Sequence, residues 1–219
     1  MTRTFHVAAL VLVLAGFCFA AVTSPSLPDP VPSHWNDRGQ VNGTIPKPWG
    51  LYLLPIAMAG TWLLLAFLPR ISPRGFEMDA FARAWGVLSV TMLAFMLFVE
   101  VLTLDAARTG RPLMPRPLLA GIGVLIAVLG NFLGKVTRNF FAGIRTPWTL
   151  ASEEVWLRTH RLAGKLFVVS GLLIVAAALA GMNVWWVVAA PVAAAALASA
   201  VYSYVIYRRL EGLPARRSA

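Results

Sequence analysis

The stretch Asn139-Phe140-Phe141-Ala142-Gly143-Ile144-Arg145-Thr146-Pro147-Trp148-Thr149-Leu150-Ala151-Ser152-Glu153-Glu154-Val155-Trp156-Leu157-Arg158-Thr159-His160-Arg161-Leu162-Ala163-Gly164-Lys165 decides the fold. It is the longest polar interval between two long apolar runs, Leu118 to Leu133 before it and Leu166 to Met182 after it. Runs of roughly 17 to 20 apolar residues are what a helix needs to cross the hydrocarbon of a bilayer. A segment rich in arginine, tryptophan and turn residues between two such runs reads as a surface connection between membrane spans.

Working outward, four more apolar runs appear: Phe5 to Val22, Leu51 to Leu68, Ala84 to Leu104 and Val184 to Tyr207. Over 219 residues, hydrophobic side chains make up 58% and charged ones 13%, with a mean hydropathy of +0.72. A water-soluble fold has no interior large enough to hide that much apolar surface. The expected fold is an all-α polytopic membrane helical bundle with six transmembrane helices. Its first half is residues 1–116, with an outer Pro-rich loop at 24–48. Its second is residues 117–219, with a cytoplasmic loop at 135–165. The single early charge, Arg3, raises a cleaved signal peptide as an alternative for the first run, but a retained helix is favoured.

The formal net charge of +10 sits in short loops between spans, where Lys and Arg set orientation and meet anionic headgroups. That placement excludes direct nucleic-acid binding and makes membrane lipids the first partners. With the N-terminus inside, fourteen Lys and Arg fall in cytoplasmic segments and five in outer ones, so N-in/C-in is expected. The lone Cys18 lies inside the first run, which leaves no disulfide framework within the chain.

In the outer loop, prolines at 28, 30 and 32 favour an extended, polyproline-like path, while Asp37-Arg38-Gly39 and Asn42-Gly43 signal turns. Trp35 and Trp49 suit interfacial anchoring. His34 with Asp37 is too small a set for a metal site, and a structural role is expected there, with His34 and Asn36 kept as secondary candidates for the functional surface. In the third helix Glu100 is a functional candidate, since ionisable groups in spans are rare. About one turn from the helix end at Asp105, it is expected at the headgroup boundary or paired with Arg108.

Within the loop at 135–165, Gly143 and Thr146-Pro147 break the chain, and a helix is expected to start near Thr149 or Ser152. Glu153 and Glu154 then occupy its first turn, Glu154 and Arg158 pair at i, i+4, and Trp156, His160, Ala163 and Phe167 form one stripe. This amphipathic segment is expected to lie in the headgroup plane and bend into the fifth span near Gly164. Glu153, Glu154 and His160 lack a second His, a thiol or a phosphate-cradling Gly-rich loop, so no enzyme, cofactor or metal is expected.

Gly130-Asn131, Asn139 to Thr149, Glu153 to Trp156, Thr159-His160-Arg161 and Gly164-Lys165 together resemble the signature of the SdpI family of bacterial membrane proteins. Leu27-Pro28 to Pro32, His34-Trp35-Asn36, Gly39 and Lys47 are similar to a domain of unknown function that commonly precedes it. The resemblance implies a non-enzymatic plasma-membrane protein of the immunity and signalling type. Its implied partners are a membrane-active peptide toxin and a cytoplasmic transcriptional repressor held at the membrane. It also marks Asn139, Gly143, Arg145, Thr146, Pro147, Trp148, Glu153, Trp156, His160 and Lys165 as the working surface. A small transporter or lipid-handling protein using Glu100 and the basic loop is the alternative.

Overall fold

A computed structural model describes residues 2–36, 39–74, 76, 78–111, 115–182 and 185–210. Asp37 and Arg38, Asn183 and the basic tail at 211–219 lie outside the described residues. The elements run α1 (Arg3–Thr23), β1 (Val31–Trp35), β2 (Val41–Ile45), α2 (Lys47–Phe67), α3 (Ala82–Thr109), α4 (Pro115–Leu133), α5 (Pro147–Ala151), α6 (Glu153–Leu179) and α7 (Trp186–Leu210). Among the described residues, six helices are long and apolar enough to span a membrane: all of these except α5.

The helices pack in two groups, α1–α2–α3 and α4–α6–α7, joined where α3 meets α4. The second group is held by backbone-to-backbone approach. A Cβ on Gly171 would stand 2.4 Å from the Gly123 carbonyl oxygen, and one on Gly164 2.9 Å from that of Gly130. Small residues at a crossing let dispersion and weak polar contacts replace the hydrophobic drive that lipid does not supply. The close contact at Gly164 corrects one expectation. Rather than bending there, α6 runs unbroken from Glu153 to Leu179, because the missing side chain serves helix packing and not a kink.

Two polar structures cap opposite ends of the bundle. The Pro-rich loop holds an antiparallel hairpin, β1 with β2, which was not expected. Val31 is buried beneath Gly50 and clusters with Ala20, Leu51, Leu104 and Ala107, so the hairpin sits on the C-terminal end of α3. Lys47 ties it down by donating from Nζ to the Leu27 carbonyl at 3.0 Å. At the other end, Met78, Phe81, Ala84, Trp85, Val136 and Trp156 form a base under the loop between α4 and α6. Phe5 of α1 packs against Gly86 there, and Ser203 of α7 reaches the same loop, so the start of α1 and the last turns of α7 lie at this end.

Glu100 departs from the sequence expectation. It is 1% exposed, and its carboxylate lies against Gly16 of α1, which Met58 of α2 also approaches. The helix continues to Thr109, so Glu100 lies more than two turns from its end, and Arg108 pairs with Asp105 at 2.8 Å instead. Among the described residues neither Glu100 oxygen has a hydrogen-bond partner.

Candidate functional site

The loop from Gly134 to Ser152 is tied by hydrogen bonds of five side chains, Asn139, Thr146 and Thr149 within it and Trp156 and His160 from α6, while the buried Thr137 hydroxyl has no partner among the described residues. Asn139, fully buried, accepts at Oδ1 from the backbone N–H groups of Phe141 (2.8 Å) and Ala142 (2.7 Å). Its Nδ2 donates to the carbonyls of Thr137 and Ala142. One asparagine thus closes the turn that the sequence places before Gly143.

His160 closes the next. Its Nε2 accepts from the Ile144 N–H at 2.9 Å, which requires that nitrogen to carry no proton, and Nδ1 then donates to the Trp156 carbonyl at 2.8 Å. The imidazole stacks on the Trp156 indole with centroids 3.9 Å apart, and Trp156 Nε1 donates to the Val136 carbonyl at 2.8 Å. Gly143 must be glycine here. Its φ is +115°, and a Cβ would fall 2.3 Å from His160 Nε2.

Thr146 and Thr149 form a reciprocal cap for the short helix α5, with Pro147 in its first turn. Thr149 also donates to the Ile144 carbonyl, and Thr146 exchanges a hydrogen bond of 2.9 Å with Ser203 of α7. Trp148 packs on Tyr204 of α7 at 4.9 Å. Ser152 caps α6, as expected, and Glu154 pairs with Arg158 at 2.5 Å.

The ten candidate loop residues therefore divide by position. Asn139, Trp156 and His160 are buried, and Thr146 and Trp148 are half-buried against α7. Gly143, Arg145, Pro147, Glu153 and Lys165 are exposed. Arg145 donates to the Phe140 carbonyl across the loop surface, beside the exposed Phe140 ring. Sequence reasoning takes Thr149 as a candidate N-cap, whereas Thr146 caps α5 with Thr149 three residues on, and it misses Arg138. Thr149 was readable as the partner of Thr146 in a capping box, whereas the Arg138 bond to the Leu150 carbonyl depends on tertiary proximity alone. In the hairpin, Asn36 accepts the Gln40 N–H and bonds its side chain, closing the turn, and His34 is exposed with Nδ1 3.2 Å from Ser33 Oγ. Glu100, His34 and the loop do not converge: they lie mid-bundle and at its two ends.

Six apolar spans with a tied polar loop at one end and a hairpin at the other define an integral, multi-pass membrane protein. Residues 135–203 match the SdpI/YfhL protein family, and residues 11–59 match a domain of unknown function, DUF1648. The chain is similar to the immunity protein SdpI of Bacillus subtilis (strain 168), with 24% identity over 208 residues, 94% of this chain and 98% of that one. It is a multi-pass bacterial plasma-membrane protein with a region that matches the SdpI/YfhL family model, preceded by one that matches DUF1648. No solved structure matches it.

Proposed function

We propose that this chain protects the membrane in which it sits against a membrane-active peptide, as an immunity-type protein without enzymatic activity. The observation that carries the reading is the end-to-end similarity to an immunity protein, which extends over 94% of the chain and is not confined to one module. On this reading the N-in/C-in orientation puts the loop at 135–165 in the cytoplasm. The exposed Arg145, Pro147 and Glu153, with Phe140 beside them, then form the face that meets a cytoplasmic regulator, while Asn139, Trp156 and His160 hold that face in shape.

The test is survival of a strain lacking this protein, challenged with a panel of membrane-active peptides. The strain would be complemented by wild type, Arg145→Ala or Glu153→Ala, with membrane abundance measured for each. Rescue by wild type, and loss of rescue in at least one abundant variant, is the expected result. Equal survival with and without the wild-type protein would refute the immunity reading.

One observation favours a second reading, transport or lipid handling: the buried Glu100 on α3, whose carboxylate has no partner among the described residues. Intramembrane carboxyls of this kind mark ion and substrate paths. Its discriminating result is a Glu100→Gln variant that stays abundant in the membrane but no longer rescues, where Arg145→Ala still does.

A further inference from the structure

The loop end of the bundle carries a cleft that the immunity reading does not use. It lies between α4 and α6, has a volume of about 560 Å³, and is floored by Gly130, Gly134 and Gly164. Three cations line its mouth, Lys135, Arg161 and Lys165, together with Asn131. Deeper along α6 the lining turns apolar at Val168 and Val169.

Both the glycines and the cations have reasons to be there. Gly130 and Gly164 let the two helices touch backbone to backbone. Without side chains the cleft stays open at the level where α4 ends and α6 enters the bilayer. Lys135 Nζ rests 4.5 Å from the centre of the Phe132 ring, which holds its charge near the cleft. Among the described residues the ion pairs are Arg108–Asp105 and Arg158–Glu154, so no described carboxylate neutralises the three cations. All three are exposed.

We propose that this cleft binds the phosphate headgroup of an anionic phospholipid, with one acyl chain running down over Val168 and Val169. Free phosphate would use the cations but gain nothing from the apolar wall, and a zwitterionic lipid would bring its own cation against them. The change from charged mouth to apolar wall along one helix is what selects a lipid. The site is separate from the exposed Arg145–Glu153 face and stands whether or not the chain confers immunity.

The test uses the purified full chain in detergent, titrated with phosphatidylglycerol, phosphatidylcholine or inorganic phosphate, with bound species read by native mass spectrometry. Each cation near a headgroup supplies about fivefold in affinity, about a hundredfold for three. Wild type should bind phosphatidylglycerol at least about tenfold more tightly than phosphatidylcholine. The Lys135→Gln/Arg161→Gln/Lys165→Gln variant should lose that preference. A control with equal charge loss at the same end, Arg70→Gln/Arg74→Gln/Arg83→Gln, should keep it. If the triple variant does not fold, Lys165→Gln alone should weaken phosphatidylglycerol binding severalfold. Three results would each overturn the proposal: a cleft variant that retains the preference, a control that loses as much, or displacement of the lipid by inorganic phosphate.

Discussion

Replacing Gly143 with alanine tests the construction of the loop most directly. The new Cβ would meet His160 Nε2 at 2.3 Å, well inside contact distance. A flexible side chain could swing aside, but this imidazole is stacked on Trp156 and bonded at both nitrogens. Two costs combine. Holding alanine at φ +115° costs of order 1–3 kcal/mol. Losing the Ile144 N–H bond leaves buried polar groups unpaired, about 1–3 kcal/mol more. The sum is about 2–6 kcal/mol, set against the loop's own opening and not against the spans, whose helices stay in the bilayer regardless.

Trypsin cleavage after Arg138 and Arg145 reads that opening, because cutting tracks the open population when reclosing is fast. Even the lower bound of about 2 kcal/mol predicts cleavage accelerated about thirtyfold. Gly110→Ala is the control. Gly110 has φ +65° but open space around its Cβ, at the other end of α3, so it should leave loop cleavage unchanged. The clash also predicts non-additivity: in a His160→Ala background, adding Gly143→Ala should cost only the backbone strain. Loop cleavage in Gly143→Ala within about threefold of wild type would refute the packing of His160 over this glycine.

Other parts of the fold give sharper readings of single interactions. Trp156→Phe keeps the stack on His160 but orphans the Val136 carbonyl, and should cost about 1–3 kcal/mol in detergent melting. No change in melting would mean that bond is unimportant. Gly171→Ala drives a methyl into the Gly123 carbonyl and the Ala127 backbone, and should destabilise by about 1–3 kcal/mol through separation of α4 and α6. Glu100→Gln removes a carboxyl with no described partner, so the melting temperature should hold or rise. A fall beyond about 4 °C, the shift that 1 kcal/mol gives in a chain of this size, would show that the carboxylate is held by something. In a Cys18→Ala background, Thr44→Cys and Glu153→Cys should be labelled from opposite faces of the membrane by an impermeant maleimide. Labelling of both from one face would refute the six-span path.

The spans were legible because hydropathy over about twenty residues is a strong signal in a bilayer. The stripe Trp156, His160, Ala163 was legible for the same reason, since helical period survives in a polar segment. The hairpin was not. Pro32 stands inside β1 and no period-two alternation marks it, because both strands of a two-stranded hairpin are edge strands, where proline is tolerated. The burial of Glu100 is not legible because Asp105 reads as the helix end. It ends only the apolar run, while the helix continues until Gly110, whose left-handed φ is an ordinary stop signal. Likewise Gly164 reads from sequence as a hinge, and only the proximity of Gly130 reveals it as a contact.

This distinction bears on how the loop should be probed. Asn139 makes four hydrogen bonds within it, and Trp156 and His160 each close a buried bond across it, so substituting any of them dismantles the surface along with whatever touches it. Loss of protection in such variants would report folding. Arg145 is different: one Nη bonds the Phe140 carbonyl, yet the residue is exposed and its guanidinium carries further donors. Exposed Glu153 at the start of α6 offers an acceptor on the same loop. On the proposed reading, a cation, a carboxylate and the exposed Phe140 ring are held in place by a buried polar frame, so a partner would not have to order them first. Of the ten motif residues only the exposed Gly143, Arg145, Pro147 and Glu153 are then open to such a partner on that face.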